Sequence, residues 1–356
     1  MEIPELVIAG PDSIAASIPF IIGFTPHNSL VVMWLRQGCV RLTMRLDLPP
    51  AHVSPSEWVD AVMAHRSSSD EVIICVLPSL EAPVRDLADD LHSHEFVSEL
   101  LARLSMTECR VRDALLVSGD RWWSYLCDEP ECCPPAGTPL DLEILESVAA
   151  RFALAGVGRL PNRETVVAVC APDPARQAAN RLGVRARRRA RSARLAQADD
   201  HRRAFEAWRD SAISLVGECL CSSAEFSPEI ECEVLLALCD VRVRDTVLWE
   251  LANSSSHDAH RAFERAAALL RGAPTGTIPP IGAVAAILGW LIGDGVRAMA
   301  ALERVKAADT DYALAELLDR SISAGLPPSS WLEMMRGLSR AACRGSRPDQ
   351  VPATSS

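Results

Sequence analysis

The sequence predicts an α/β N-terminal domain, a mixed sheet with two hairpins flanked by helices, followed by an all-α domain of helix hairpins. Three observations predict it. Short β-type apolar runs alternate with helical periodicities as far as Leu126. The β signal then vanishes. Beyond it only helical periodicity recurs, broken at Ser227-Pro228, Gly272-Ala273-Pro274, Pro279-Pro280 and Pro327-Pro328.

Pro11-Asp12-Ser13 opens a helix through Ile14 to Phe24, kept short or kinked by Pro19 and Gly23. Ser29 to Leu35 and Cys39 to Leu46 form a hairpin around Arg36-Gln37-Gly38. Leu42, Met44 and Leu46 alternate with Arg41, Thr43 and Arg45, as in a strand with one wet face, and Pro49-Pro50 stops it. Ser54-Pro55-Ser56-Glu57 starts a helix running to about His65. Val72 to Leu77 is apolar throughout, as in a strand covered on both faces. Helical periodicity follows from Pro83 to about Ser105, through Val84, Leu87 and Leu91. Asp113 to Val117 and Arg121 to Leu126 make a second hairpin, turning at Ser118-Gly119-Asp120.

Leu140 to Leu154 is the first helix of the second half, and Pro161-Asn162-Arg163-Glu164 and Pro172-Asp173-Pro174 start the next two. The expected domains are therefore 1–136, ending in a Trp/Cys-rich loop, and 137–343, with a disordered tail over 344–356. Gly293-Asp294-Gly295 with Ala298, Leu302 and Val305 resembles the second helix of a tetratricopeptide repeat. The first helix of that unit fits poorly, so the resemblance is weak and supports helix-hairpin packing more than an array.

A net charge of −11 argues against a wholesale nucleic-acid coat and leaves room for a local basic patch. Lys306 is the sole lysine, which points first to codon usage in a GC-rich genome. Met1 to Leu6 has no basic n-region and no long apolar run follows it, so no secretory signal is expected, and the longest apolar runs, such as Ile281 to Ile292, are too short for a bilayer. A cytoplasmic protein with no membrane partner is expected. Its 12 cysteines should then be thiols, with Cys39, Cys75, Cys109, Cys170, Cys219, Cys232 and Cys239 as small core residues.

The candidate site is the stretch from Trp122 to Pro139, dense in aromatics, cysteine and proline. Cys127, Cys132 and Cys133 can supply most of a tetrahedral zinc shell, although the spacing lacks paired C-x2-C knuckles. His92 and His94 join only if the preceding helix folds back. Redox chemistry among the thiols is the rival, with Asp128, Glu129 and Glu131 against it, since carboxylates raise a thiol pKa. A structural loop with buried thiols and no cofactor is the favoured expectation. Trp123 and Tyr125 share one strand face and Trp122 takes the other, as packing or as a stacking platform. Asp47 and Asp120 lie at strand ends, where they would meet as a carboxylate pair if the sheet folded so.

Between Asp173 and Asp199 the chain carries arginines without one acid, among them Arg181, Arg185, Arg188 and Arg189. They ring most of a helix, leaving Leu182, Val184 and Leu195 as apolar anchors. Such a helix is a solvated connector or a polyanion site, and no aromatic interleaves the arginines. Glycine-rich phosphate loops, G-x-S-x-G and H-E-x-x-H are all absent from the sequence.

Ile18-Pro19-Phe20-Ile21-Ile22-Gly23-Phe24, Ser29-Leu30-Val31-Val32, Leu46-Asp47-Leu48-Pro49, and above all Gly119 to Cys127 with Cys132-Cys133-Pro134-Pro135 resemble an actinobacterial family, domain of unknown function 4192. The resemblance implies an intracellular actinobacterial protein and brings no activity or site residue with it. The residues point to a protein-interaction or regulatory module whose partner is another protein. The alternatives are a metal- or thiol-dependent enzyme at the Trp122–Cys133 loop, and a nucleic-acid-associated protein through the Arg176–Arg194 helix.

Overall fold

The computed structural model describes residues 10–49, 54–64, 71–79, 81–85, 89–223, 227–254 and 258–345. Pro50, the helix end at His65, Leu87 and tail residues 346–356 lie outside that set. The chain forms two compact units, Met1–Val166 and Val167–Ser356.

The first unit runs α1 (Pro11–Ile21), β1 (Ser29–Arg36), β2 (Cys39–Asp47), α2 (Pro55–Met63), β3 (Glu71–Leu77) and α3 (His94–Ser105). It continues with β4 (Arg110–Ser118), β5 (Arg121–Ser124), β6 (Thr138–Pro139) and α4 (Leu142–Leu154), and α5 (Arg163–Val167) spans the division. The sheet is mixed, with order β2-β1-β3-β4-β5-β6 and only β3–β4 parallel. Both expected hairpins form.

Alternation sorts the side chains into two layers. Leu30, Val32, Trp34, Ile74, Val76 and Leu116 pack with Val97 and Leu100 of α3. Val31, Met33, Leu35, Ile73, Cys75 and Leu115 pack with Ile14 and Ile18 of α1. Leu42, Met44 and Leu46 lean on the first layer as the edge strand's inner face.

Three expectations change here. The helix expected from Pro83 begins at His94. A turn precedes it, in which Asp89 and Ser93 take positive φ and the His92 N–H donates to the Val84 carbonyl at 2.7 Å. The helix over 142–154 belongs to the first unit, because Phe152 stacks on Phe20 of α1 at 4.7 Å. Cys39 is exposed, since it follows the Gly38 turn at the hairpin's end.

The second unit runs α6 (Pro174–Ala196), α7 (His201–Cys221), α8 (Pro228–Ala237), α9 (Val241–Asn253) and α10 (Ala259–Gly272). It then runs α11 (Ile278–Leu291), α12 (Gly295–Ala308), α13 (Ala313–Ser323), α14 (Pro328–Arg336) and α15 (Arg340–Arg344). Aspartates cap α6, α7, α9, α10 and α12 by accepting backbone N–H bonds. α11 is buried on all sides and pairs with α12 as a close hairpin. A β-carbon on Gly289 would lie 3.0 Å from the Ala298 nitrogen, so the small residues are what let the two backbones approach. That is the hairpin expected from Gly293-Asp294-Gly295. No helix among the described residues is long and apolar enough to cross a membrane.

Arg344, expected at the head of a disordered tail, is 8% exposed. Its guanidinium pairs with Glu206 at 2.5 Å and Asp210 at 2.7 Å. Cys239 is exposed in the α8–α9 turn, contrary to a core role, and Leu182 is 69% exposed, contrary to an anchor role.

We propose that 167–345 folds alone, because its core cluster is drawn wholly from its own helices. Circular dichroism of that fragment is expected to be strongly helical. A fragment beginning at residue 137 should be less soluble, because it carries α4 and its apolar Val148 and Phe152 without α1.

Candidate functional site

The loop between β5 and β6 is tied to the sheet at both ends. Trp123 is buried in the layer that holds Leu116, its partner on β4, and its indole N–H donates to the Pro135 carbonyl at 3.1 Å. The Arg121 guanidinium donates to the Gly137 carbonyl at 2.8 Å. β6 returns to pair Thr138 with Trp122, and the Leu140 N–H reaches the Asp120 carbonyl at 2.8 Å. The Tyr125 hydroxyl donates to the His92 carbonyl, and burial pushes the phenol's pKa well up. Trp122 packs on the opposite layer. The two tryptophans and the tyrosine thus serve as packing on opposite faces of the sheet.

Within this frame the chain turns sharply. The N–H groups of Cys132 and Cys133 both donate to the Glu129 carbonyl, at 3.0 and 2.7 Å. Pro130 sits at the second position of that turn, where its fixed φ is favoured. The turn brings residues 132 and 133 back over residue 127, and the three sulfurs lie within 4.8 Å of one another. The Cys132 and Cys133 sulfurs are 3.9 Å apart.

The expectation of buried thiols fails. Cys132 is exposed and Cys127 and Cys133 are half-buried, because the turn projects outward between the exposed carboxylates of Asp128, Glu129 and Glu131. The electrostatics separate the thiols. The Glu129 backbone N–H, then the Cys133 and Cys132 thiols, hold Cys127 below the ordinary thiol range. Cys133 is pushed up to about 12 by burial and by hydrogen bonds and charge from the other two. One thiolate forms readily, and a second beside it is opposed unless a cation compensates the charge. The metal-donor cluster comprises the three thiols alone, so neither His92 nor His94 joins it.

Asp47 and Asp120 do not meet. Asp47 lies on the edge strand β2, paired with Arg45 at 2.5 Å, while Asp120 lies in the β4–β5 turn. Three strand spacings of about 4.8 Å lie between β2 and β4, so at least roughly 14 Å separates them. A carboxylate site shared with the cysteines is therefore not formed. Gly137 is the residue that reading the sequence missed. It holds φ at +78°, and a β-carbon there would lie 2.4 Å from Cε2 of Trp123. The signal available was a glycine two residues beyond Pro134-Pro135.

The arginine helix α6 is sorted in the second unit. Arg176 pairs with Glu231 at 2.9 Å, Arg187 with Glu233 at 3.7 Å, and Arg191 stacks 4.5 Å over the Trp208 ring. Arg181, Arg185, Arg188 and Arg189 are exposed.

Comparison with curated proteins and with solved structures gives no match. A family model described as a domain of unknown function, DUF4192, matches residues 11–329, which takes in most of both units and the whole thiol loop. The chain, matched from the start of the Pro11 helix to residue 329, belongs to the DUF4192 family.

Proposed function

We propose that the chain is a metal-dependent interaction or regulatory module of a reducing, cytoplasmic compartment. Cys127, Cys132 and Cys133 hold one soft divalent cation, and zinc fits best. The observation that carries this reading is the convergence of three thiols within 4.8 Å on a loop anchored at both ends. A tetrahedral zinc thiolate shell, with Zn–S about 2.3 Å, sets its sulfurs about 3.8 Å apart. The thiols therefore reach ligand geometry by shifts below about 1 Å.

Thiolate donors select zinc over magnesium or calcium. Three ligands from the loop leave a fourth position for water or for a donor from another protein, which makes the loop surface a metal-dependent docking point. The enzyme reading is the second one, and the lowered pKa of the half-buried Cys127 favours it.

The test is elemental analysis of protein purified under reducing conditions, beside a native thiol count. Stoichiometric zinc is expected, lost in Cys127→Ser together with thermal stability of the α/β unit, because metal-binding free energy is folding free energy. Metal-free protein whose Cys127 labels rapidly with iodoacetamide would overturn the metal reading in favour of thiol chemistry.

A further inference from the structure

We infer that the groove between the C-terminal half of α6 and the N-terminal half of α7 binds single-stranded nucleic acid, its phosphates on the outward arginines of α6 and a base beside Trp208. The inference concerns the helical unit alone and does not depend on the metal site.

The arginines of α6 fall into two sets. Arg176, Arg187 and Arg191 face neighbouring helices and are engaged by Glu231, Glu233 and the Trp208 ring. Arg181, Arg185, Arg188 and Arg189 face outward, with no carboxylate partner among the described residues; Arg188 passes beside the Cys239 sulfur. Arg181, Arg185 and Arg188 follow i, i+4, i+7 spacing and make one row about 10 Å long. Arg202 and Arg203, both exposed, open α7. In a chain of net charge −11 this is a segregated basic strip. Like charges one turn apart repel, so the row weakens the isolated helix, and bound phosphate removes that penalty.

The row leads into a half-open groove of about 390 Å³ lined by Arg191, Arg194, Leu195, Trp208, Leu215 and Glu233. That lies within the range of small-molecule sites, about 300–1,000 Å³. The arginine run itself has no aromatic, but α7 supplies two. Phe205 and Trp208 stack at 5.5 Å, and the Arg191 guanidinium carbon already lies 4.5 Å over the indole, where a base would stack. In the complex the base takes that place and Arg191 turns to a phosphate. Glu233, held by Arg187, accepts from base amino groups and keeps phosphates on the α6 side. A duplex cannot place a base in this groove without opening, and an acidic peptide has no ring for the indole. Single strands use both features.

The test is fluorescence anisotropy with full-length protein and a fluorescein-labelled oligothymidine of about 20 nucleotides. Binding is expected at low salt, with a log–log salt slope of roughly −2 to −3 for three or four phosphate contacts. Replacing Arg181, Arg185 and Arg188 together by glutamine should weaken binding on the order of ten-fold or more and flatten the slope by about 2. Helical circular dichroism should stay unchanged, because the three side chains are exposed. Trp208→Leu should weaken binding while leaving the slope intact, since stacking carries no counterion release. No binding at low salt, or full binding by the triple variant, would overturn the inference. So would tighter binding of a duplex of equal length, or equal competition by polyglutamate or polyphosphate.

Discussion

Arg176→Ala is expected to destabilise the helical unit by about 3 kcal/mol, the lower end of the range for breaking a buried ion pair. Glu231 is 4% exposed, and its carboxylate accepts from the Arg176 Nε at 3.0 Å and from the Asn180 amide at 2.8 Å. The same amide nitrogen also donates to the Gly272 carbonyl at 2.8 Å, so the group clamps α6 to α8 and α10. Removing the guanidinium leaves a charge in the core with one neutral donor. The lower end applies because the Arg176 side chain is 32% exposed, and water can reach the gap. Arg176→Met with Glu231→Leu should recover much of the loss, since an apolar pair has no charge to strand. Urea denaturation of the wild type, Arg176→Met, Glu231→Leu and the double variant reads the coupling. A loss below about 1 kcal/mol for Arg176→Ala would place Glu231 in contact with water and end this account.

Gly272 and Gly183 belong to the same junction. A β-carbon on Gly272 would lie 2.5 Å from Glu231 Oε1, and one on Gly183 would lie 2.4 Å from the Cys232 sulfur. In an open helix, glycine to alanine gains about 1 kcal/mol. Here overpacking costs about 1–3 kcal/mol, so the sign reverses.

Much of the fold was legible because period-2 and period-3.6 patterns are local. Leu42, Met44 and Leu46 alternating with Arg41, Thr43 and Arg45 mark a strand, and the strand forms, although Thr43 and Arg45 on the expected wet face are half-buried. Where local turn chemistry overrode periodicity, the reading failed. Val84 and Leu91 look helical, yet the backbone passes through positive φ at Asp89 and Ser93 before α3 begins. The helix over 142–154 was legible as a helix but not as part of the first unit. Its apolar stripe shows that something covers Phe152, and only the fold shows that Phe20 does. Arg344 illustrates the same limit, since its partners lie 134 and 138 residues away.

Composition pointed to the stretch where three thiols converge, and to the wrong degree of burial. Proline, tryptophan and cysteine in one loop announce rigidity, but C-x4-C-C becomes a cluster only through the Glu129 turn. Burial was expected because cysteine is usually a core residue. The exposed carboxylates flanking the thiols, held as evidence against redox chemistry, were also evidence that the loop faces water. The Asp47–Asp120 pair needed the strand order, which puts the two residues at least three strand spacings apart. The aromatic partner of the arginine run lies on the next helix, where a one-dimensional search for interleaving cannot find it.

Gly137→Ala is expected to cost the α/β unit about 2–5 kcal/mol and to abolish the thiol site without touching a cysteine. Two terms add. At φ +78° an alanine pays about 1–2 kcal/mol for a left-handed backbone. The new β-carbon would also lie 2.4 and 2.5 Å from two ring carbons of Trp123, so something must shift, at about 1–3 kcal/mol. Neither side yields readily. The Gly137 N–H is held by the Pro134 carbonyl at 2.7 Å and its carbonyl by Arg121, while Trp123 is 9% exposed and bonded to Pro135. The displacement therefore passes into Pro134 and Pro135, next to Cys133, and spreads the sulfurs. Gly119→Ala is the control, because it has φ +61° and nothing within 4 Å of the added carbon. Thermal melts and zinc stoichiometry of both variants separate the terms. Gly119→Ala should show the backbone cost alone and keep its metal, whereas Gly137→Ala should show both costs and lose it. Equal melting temperatures for the two would mean that Trp123 does not brace the loop.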